Sequence, residues 1–385
     1  MIKEIRKNPI YPFLFILVLT ATVGFQGWRT LFNNFAVDVV EINGFQNGII
    51  QAVREIPGFL TFLVVFVLIL IKEQHLTALS VIVMGTGIAL TGFLPTFHGL
   101  IISTLIMSIG FHYFETTNQS LTLQHFSKIE APYVFARLRS LGALSNIFLG
   151  GAIWLSSRFI PLKMNFIIIG GLAVVMGVVM FFMHEIKESE HPQHKKMIIK
   201  KKYWLFYLLN LLNGARRQIF VVFAVFMLVK KYHFTVAEIS ILFVINNLLT
   251  YFINPYIAKG INHFGERKVL SLEYFSLILV FLGYVYLQNR WLVALLYIVD
   301  HIFFNFAIGV RTYFQKTADP RDIAPSMAVG FAINHISAVI VPVIGGALWM
   351  FDWRIPFWAG AVLSIFSLFA VQNIKLKPGT VFYKE

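Results

Sequence analysis

Ionisable side chains inside long apolar segments are the residues of this sequence best suited to carry chemistry. A charged group deep in hydrocarbon costs roughly 2.5–3.5 kcal/mol or more, so such groups normally face an ion partner or a polar pathway. Arginine holds carboxylates and phosphates bidentately, and histidine changes its protonation near neutral pH. The residues of this kind are Arg29, Arg54, Glu55, His112, Glu115, Arg216, Arg217, Asp300, His301, Arg311 and His335.

Two interpretations are open for the arginines. Facing a cavity, Arg29 and Arg217 would bind an anionic group from two sides. As structural partners, Arg29 and Glu55 lie at similar depth in their segments and could form an ion pair. Arg216 or Arg217 could neutralise Asp300 or Glu115 in the same way. The adjacent Arg54 and Glu55, together with Arg216, are therefore also candidates for a gate or an ion pair.

Carboxyl groups in this set are candidates for proton coupling. Burial raises the pKa of a carboxyl group, and a neighbouring arginine lowers it. A substrate that changes either influence can therefore change the protonation of the carboxyl group. Glu115 and Asp300 are the main candidates, and Glu55 is a third. His112 and Glu115 are three residues apart and share one helix face, which places both beside the same ligand.

The composition predicts that these residues lie in membrane-spanning helices. Hydrophobic residues make up 58% of the 385-residue sequence, charged residues make up 13%, and the mean hydropathy is +0.74. The apolar stretches are continuous over about 20 residues, as helices require, rather than alternating as in a β-barrel. The sequence contains no cysteine, which excludes disulfides and thiolate sites.

The apolar stretches form two sets of six, which we number segments 1 to 12. A polar linker at 185–203 separates residues 1–184 from 204–385, so we expect two six-helix bundles. The predicted segments are 10–37, 45–71, 76–95, 98–123, 139–157, 162–184, 204–229, 235–258, 269–288, 291–314, 325–349 and 355–374.

The distribution of positive charge predicts the orientation. With both termini in the cytoplasm, and with Arg139 and Lys163 at segment ends counted with the adjoining loops, 21 of the 32 Lys and Arg face inward, six face outward and five lie deeper within segments. Cytoplasmic loops are enriched in Lys and Arg, so this orientation is favoured over its inverse. The net charge of +14 is thus explained by topology, and we do not expect nucleic acid as a partner.

Sequence similarity between the halves indicates an internal repeat. Arg29 corresponds to Arg217 and the run Phe35–Val37 to Phe223–Val225 at an offset of 188. Gly150–Trp154 corresponds to Gly345–Trp349 at an offset of 195. Parallel repeats with a substrate site near the bilayer midplane are a known plan of secondary transporters.

Two local motifs resemble the major facilitator superfamily. The stretch Ala258–Leu270 is similar to that family's loop between helices 8 and 9, which joins cytoplasmic helix ends. Its matching residues are Gly260, Gly265, Arg267 and Lys268. In segment 5, the glycines of Gly142–Gly151 follow the spacing of the exporter motif, although Asn146 and Ile147 replace its Gly-Pro pair.

The resemblance implies a transporter that is not an enzyme. In that family helices 1, 4, 7 and 10 line the cavity, which implies substrate contacts for Arg29, His112, Glu115, Arg217, Asp300 and His301. We expect proton-coupled export of a small anionic or amphipathic solute from the bacterial cytoplasm, by a monomer surrounded by lipid. A proton-linked importer, an anion exchanger and a non-transporting sensor are the alternatives. We expect no cofactor and no metal site.

Overall fold

The computed structural model describes residues 8–126, 130–183, 199–319 and 322–375. Regular secondary structure in these ranges is helical throughout, which confirms the predicted all-α class. The helices form twelve consecutive groups, α1 to α12. Their bounds are Ile10–Val39, Gly44–Val67, Glu73–Phe93, Phe97–His125, Glu130–Ser156, Leu162–Phe181, Lys201–Lys230, Val236–Phe264, Glu266–Tyr286, Arg290–Thr317, Ile323–Trp349 and Ile355–Val371.

Ten of these groups contain a stretch long and apolar enough to cross a membrane, within the part of the chain described. The remaining two are α2 and α12, and the apolar helix α12 has 17 residues. Twelve crossings and cytoplasmic termini stay predictions. Most of the predicted linker, 185–198, and all basic residues of the two chain ends except Lys375 lie outside the described residues.

Several helices depart from regular α geometry near the charged side chains. The predicted continuous segment 45–71 is interrupted: α2 runs from Gly44 to Phe59, and after Leu60 it continues as a 3₁₀ turn, Thr61–Leu63, and a short helix. Pro57 lies in its last α turn and lacks the N–H that would continue the backbone ladder.

Helices α1 and α7 each contain a π-helical stretch. These stretches are Phe35–Val39 and Ile219–Ala224, and each includes part of the repeated Phe-Ala-Val run. In α10, a 3₁₀ turn at Asn305–Ala307 follows closely after Asp300. Single π turns inside helices frequently mark functional positions.

The contact pattern divides the chain into two compact units. Unit 1 consists of Met1–Ile42, Val53–Gln193 and Phe234–Asn247. Unit 2 consists of Asn43–Ala52, His194–His233 and Leu248–Glu385. The first turns of α2 therefore belong to unit 2 and the rest of α2 to unit 1. The first turns of α8 belong to unit 1 and the rest of α8 to unit 2.

In unit 1, glycines allow very close packing of α3 against α4 and α6. A Cβ atom on Gly87 of α3 would lie 2.2 Å from the backbone nitrogen of Met107 on α4. One on Gly170 of α6 would lie 2.4 Å from the backbone nitrogen of Ala89 on α3. Small residues at such crossings permit the backbone approach that stabilises helix pairs in lipid.

In unit 2, aromatic packing and an ionic cluster fix the first turn of α7. The rings of Phe206 and Phe314 stack with centroids 3.9 Å apart. Asp322, which precedes α11, lies 2.6 Å from the ammonium group of Lys200 and accepts a 2.6 Å hydrogen bond from the Tyr203 hydroxyl. These contacts join the start of α7 to the end of α10 and the start of α11.

Candidate functional site

Four charged side chains line one small pocket within unit 2. Arg216 and Arg217 come from α7, Glu273 from α9 and Asp300 from α10. The other lining residues are Asn213, Phe220, Leu277, Phe281 and Phe304. The pocket therefore combines two cations and two carboxylates with an apolar, mainly aromatic wall.

The ion pair between Arg216 and Glu273 is fully buried. Arg216 Nη2 lies 2.9 Å from Glu273 Oε1, and the two side chains are 3% and 1% exposed. Arg216 also donates a 3.1 Å hydrogen bond to Asn213 Oδ1, and its guanidinium carbon lies 4.5 Å from the ring centre of Tyr274. Burying such a pair carries a desolvation penalty that good geometry and additional hydrogen bonds only partly offset.

Hydrogen bonding around this pair is incomplete among the described residues. Arg216 Nη1, Glu273 Oε2 and Asp300 Oδ2 are all buried and make no hydrogen bond of standard geometry there. The phenol of Tyr284 approaches Asp300 closely, and its hydroxyl also makes no standard hydrogen bond within the described chain. Buried polar atoms left without partners are costly, so their clustering at one pocket indicates a place for a ligand or a proton.

Aromatic rings also line the pocket and pack around it. The rings of Phe220 and Tyr297 are stacked with centroids 5.0 Å apart, and the Arg217 guanidinium carbon lies 5.7 Å from the ring centre of Phe304. His301 packs 6.2 Å from Phe220, and its Nε2 lies 3.2 Å from the Thr250 hydroxyl. Flat apolar ligands pack well on such a wall.

In unit 1, α2 and α4 bring Arg54, Glu55 and His112 into one region. Arg54 Nη2 lies 2.7 Å from Glu55 Oε1, and the Ser108 hydroxyl donates a hydrogen bond to the backbone carbonyl of Arg54. His112 follows Ser108 by one helical turn and is 8% exposed, whereas Glu115 is half-buried. Glu55 thus pairs with its own neighbour in sequence.

Arg29 lies on α1 of the same unit. Its guanidinium carbon lies 5.5 Å from the ring centre of Phe243. One turn earlier, Phe25 stacks on Phe111 of α4 with centroids 4.0 Å apart. Helices α1 and α4 therefore present Arg29, His112 and Glu115 in one unit, while Arg217, Asp300 and His301 belong to the other.

The predicted conformational loop, which we call the α8–α9 loop, spans the junction of these two helices. Gly260 lies near the end of α8, Gly265 alone separates the helices, and Arg267 and Lys268 lie in the first turn of α9. Gly265 has φ +81°, which favours glycine, and it directly precedes α9. The Arg267 Nε–H donates a 3.0 Å hydrogen bond to Oε1 of Gln372, which directly follows α12. The carboxylate of the buried Glu266 lies 2.6 Å from the ammonium group of Lys316 on α10. Lys268 is exposed, and a Cβ atom on Gly260 would meet open space.

Glu273 is the site residue that the sequence analysis missed. It lies inside predicted segment 9 and carries the same signal as the other buried charges, an ionisable group in an apolar stretch. It lies only four residues from the start of that segment, close to the predicted membrane boundary. Only the structure shows that it is buried and paired with Arg216.

Comparisons with known proteins agree with this architecture. The sequence model of the Major Facilitator Superfamily matches residues 206–379. No curated protein matches the sequence. A structure of the nucleoside transporter NupG in a mutant form has a TM-score of 0.81 at 16% identity, and the match covers 94% of this chain and 99% of that chain.

Two other solved structures share the fold over nearly the whole length of both chains. A second NupG structure has a TM-score of 0.78 at 17% identity, with 98% of this chain and 100% of that chain covered. A bacterial homologue of the human lysosomal transporter Spinster, inward-facing and occupied, has a TM-score of 0.72 at 12% identity. That match covers 93% of this chain and 95% of that chain. Together these findings show that the chain shares the fold of these transporters, and its sequence match to the Major Facilitator Superfamily lies in the second half of the chain, with no subfamily indicated.

Proposed function

We propose that the protein is a proton-coupled secondary transporter of a small organic solute, anionic or amphipathic, working by alternating access. The observation that carries the proposal is the unit 2 pocket, where a buried ion pair, a second carboxylate and a second arginine surround one small space. Ionisable groups at such depth mark substrate and proton pathways. The shared fold supports transport in general, and the pocket supports the solute class.

Roles for the individual residues follow from their chemistry. Arg29 and Arg217 bind the anionic group, and His112 and His301 supply further polar contacts. Asp300 is the primary proton carrier, with Glu115 and Glu55 as additional candidates. Arg54 pairs with Glu55 and Arg216 with Glu273, which supports structural or gating roles for these pairs.

The setting we propose is the bacterial cytoplasmic membrane. Both termini face the cytoplasm, residues 1–184 and 204–385 form the two moving bundles, and the protein works as a monomer. The loop containing Gly260, Gly265, Arg267 and Lys268 joins cytoplasmic helix ends and changes its contacts during the cycle. The contact of Arg267 with Gln372 supports this role.

Secondary transporters of this kind differ in the direction of transport and in the ion to which transport is coupled, so several alternatives are open. The glycine spacing of segment 5 favours export, whereas a proton-linked importer or an anion exchanger would use the same pocket. Nucleosides are a second candidate class, favoured by the stacked rings of Phe220 and Tyr297 and by the name of the structural relative NupG. A sensor that binds its solute without moving it is a more remote alternative.

Proteoliposomes containing a pH-sensitive dye test this proposal directly. A panel of carboxylates, phosphate esters, nucleosides and amphipathic drugs is first screened for thermal stabilisation of the purified protein. Compounds that stabilise it are then added to the vesicles with and without an imposed pH gradient. We expect the gradient to drive solute flux and solute to drive proton flux. Flux that ignores the gradient would contradict proton coupling, and binding without flux would support the sensor.

The same screen tests the two arginines. Arg29→Ala and Arg217→Ala are each expected to weaken stabilisation by anions but not by neutral compounds. The exposed Arg158, which has no role in the proposed site or in the conformational loop, supplies the control substitution Arg158→Ala. Anion stabilisation that survives both substitutions would contradict a role for these arginines.

A further inference from the structure

A group of basic residues at one end of unit 2 shares no residue with the pocket described above. The chain segments that follow α7, α9 and α11 meet there. The Tyr232 hydroxyl, after α7, donates a 2.9 Å hydrogen bond to the backbone oxygen of Leu287, after α9. The Lys231 ammonium nitrogen lies 3.3 Å from the ring centre of Trp353, which follows α11. These segments, which we call the junction surface, are 230–232, 286–291 and 350–358.

The predicted orientation gives the junction surface positive charge where such charge is disfavoured. Outer loops of membrane proteins are normally poor in Lys and Arg. Six of the 32 Lys and Arg of this sequence are predicted to face outward, and four of those six lie on the junction surface. The four are Lys230, Lys231, Arg290 and Arg354. Topology does not explain this concentration, which indicates a ligand with negative charge.

Two of these cations contact the same indole ring. The Arg354 guanidinium carbon lies 5.7 Å from the ring centre of Trp353, which Lys231 also contacts. Burial and the nearby charge of Arg354 lower the pKa of Lys231, while Asp352 raises it. Asp352 lies 3.6 Å from Arg354 in an exposed pair, and exposed pairs contribute little. A further anion close to both cations would reduce the repulsion between them.

Exposed aromatic rings lie on the same surface. The side chain of Phe351 is 84% exposed. Trp358, in the first turn of α12, packs 5.8 Å from Tyr286 at the end of α9, and both rings are exposed. Tryptophan and tyrosine are enriched where helices leave the hydrocarbon, because their rings combine an apolar body with a polar group. The junction surface therefore presents positive charge next to rings that can contact acyl chains.

We propose that the junction surface binds the phosphodiester headgroup of an anionic phospholipid in the outer leaflet. Lys231 and Arg354 contact the phosphate, and Phe351 and Trp358 pack against the part of the acyl chains nearest the headgroup. A bound lipid would join the segments that follow α7 and α11. The proposal uses the predicted orientation, and it does not rest on the proposed solute or on proton coupling.

The absence of cysteine from the sequence allows a local test. Met350→Cys places one thiol on the junction surface, at an exposed position to which the proposal assigns no contact. The full-length protein is labelled there with a fluorescent dye and placed in vesicles of phosphatidylcholine. A small share of the lipid is then replaced by phosphatidylglycerol or phosphatidylcholine with brominated acyl chains, which quench only a dye that they approach closely.

We expect brominated phosphatidylglycerol to quench at lower lipid fractions than brominated phosphatidylcholine does. Each cation near a membrane surface changes the affinity for anionic lipid by about fivefold, so Lys231 and Arg354 together predict a preference of about 25-fold. The double variant Lys231→Gln with Arg354→Gln should lose this preference. Lys231→Arg with Arg354→Lys keeps both charges and should keep the preference.

Arg158→Gln is the matched control. Arg158 is also predicted to face outward, and its guanidinium carbon lies 4.1 Å from the ring centre of Trp154 in unit 1. Its substitution should leave the preference at the junction surface unchanged. Should the double glutamine variant fail to fold, Arg354→Gln alone, at a half-exposed side chain, should reduce the preference by about fivefold.

Three results would overturn the proposal. Equal quenching by the two brominated lipids would show that the charge of the headgroup is not recognised. An unchanged preference in the double glutamine variant would place the lipid on other residues. Displacement of phosphatidylglycerol by inorganic phosphate, but not by chloride at the same ionic strength, would assign the surface to a free anion.

Discussion

At the scale of single residues, the pairing of Arg216 with Glu273 makes a sharp prediction about stability. Glu273→Ala leaves the guanidinium buried without its carboxylate, and losing one partner of a buried ion pair typically costs about 3–5 kcal/mol. We expect a large decrease in the thermal unfolding temperature in detergent. The double variant Arg216→Met with Glu273→Leu removes both charges and is expected to be more stable than Glu273→Ala. A double variant no more stable than the single one would contradict this account.

The ionic cluster at Asp322 predicts a defined pH dependence. Hydrogen bonds from Lys200 and Tyr203 lower the pKa of Asp322 from 3.8 to about 2. Because the folded pKa is depressed, the stabilisation is fully present above about pH 4 and is lost as the pH falls toward 2.

Thermal unfolding of the unmodified protein and of Asp322→Asn measures this effect. The difference between their unfolding temperatures should be constant from pH 5 to pH 7 and should shrink as the pH falls below about 4. The exposed Asp352, which pairs loosely with Arg354 over 3.6 Å, provides the control Asp352→Asn. A difference that grows on acidification would contradict the assigned contacts.

Residue types alone predicted which positions carry charge in the membrane but not which charges pair. The sequence allowed a pair between Arg29 and Glu55, which stays a prediction. It also allowed Arg216 or Arg217 to pair with Asp300 or Glu115, but it did not indicate the contacts of Arg54 with Glu55 or of Arg216 with Glu273 that the structure shows. Pairing depends on helix rotation and on the depth of each side chain. Neither quantity follows from the position of a residue in an apolar stretch.

At the scale of helices, the glycine contacts of α3 predict a local sensitivity to added volume. The Cβ atom of Gly87→Ala would meet the backbone of Met107 and Ser103 at 2.2 Å and 2.7 Å, so the helices must move apart. Overpacking of this kind costs about 1–3 kcal/mol. Gly171 of α6 has no heavy atom within 4 Å of such a Cβ atom, so Gly171→Ala is the matched control. Equal unfolding temperatures for both variants would contradict the predicted packing.

The α8–α9 loop predicts an effect on rate rather than on stability. Arg267 is exposed, and an exposed polar contact contributes at most about 1 kcal/mol. We expect Arg267→Ala to change the transport rate at saturating solute by up to about fivefold, with little change in unfolding temperature. Lys268→Ala, next in sequence and also exposed, is expected to have a smaller effect. Identical rates for the two variants would argue against a role for the Arg267–Gln372 contact.

Helix positions followed closely from hydropathy, but their interruptions did not. The ends of α6 and α9 lie within a few residues of the predicted segments because apolar length is set by bilayer thickness. The break after Phe59 and the π-helical stretches of α1 and α7 depend on tertiary packing. The adjacent Pro57 and Gly58 were the local signals for the break.

At the scale of the whole molecule, the two halves of the repeat carry corresponding residues in different ionic surroundings. Arg29 and Arg217 correspond in sequence, yet the Arg54–Glu55 pair of unit 1 joins neighbours in sequence, whereas unit 2 buries the Arg216–Glu273 pair, which joins two helices, beside Asp300. We infer that proton coupling depends mainly on the second half of the chain. Glu115→Gln is accordingly expected to impair gradient-driven transport less than Asp300→Asn does, in the same vesicle assay. A larger loss in Glu115→Gln would place the coupling in the first half.

The central claim is that Asp300 couples solute movement to the proton gradient. Its most direct test compares two activities of Asp300→Asn in proteoliposomes, using a labelled compound that stabilises the protein. One activity is exchange of solute at equal concentrations, and the other is accumulation driven by a pH gradient. We predict that the variant keeps exchange but loses accumulation, whereas the unmodified protein shows both. Accumulation by Asp300→Asn at the level of the unmodified protein would contradict the claim.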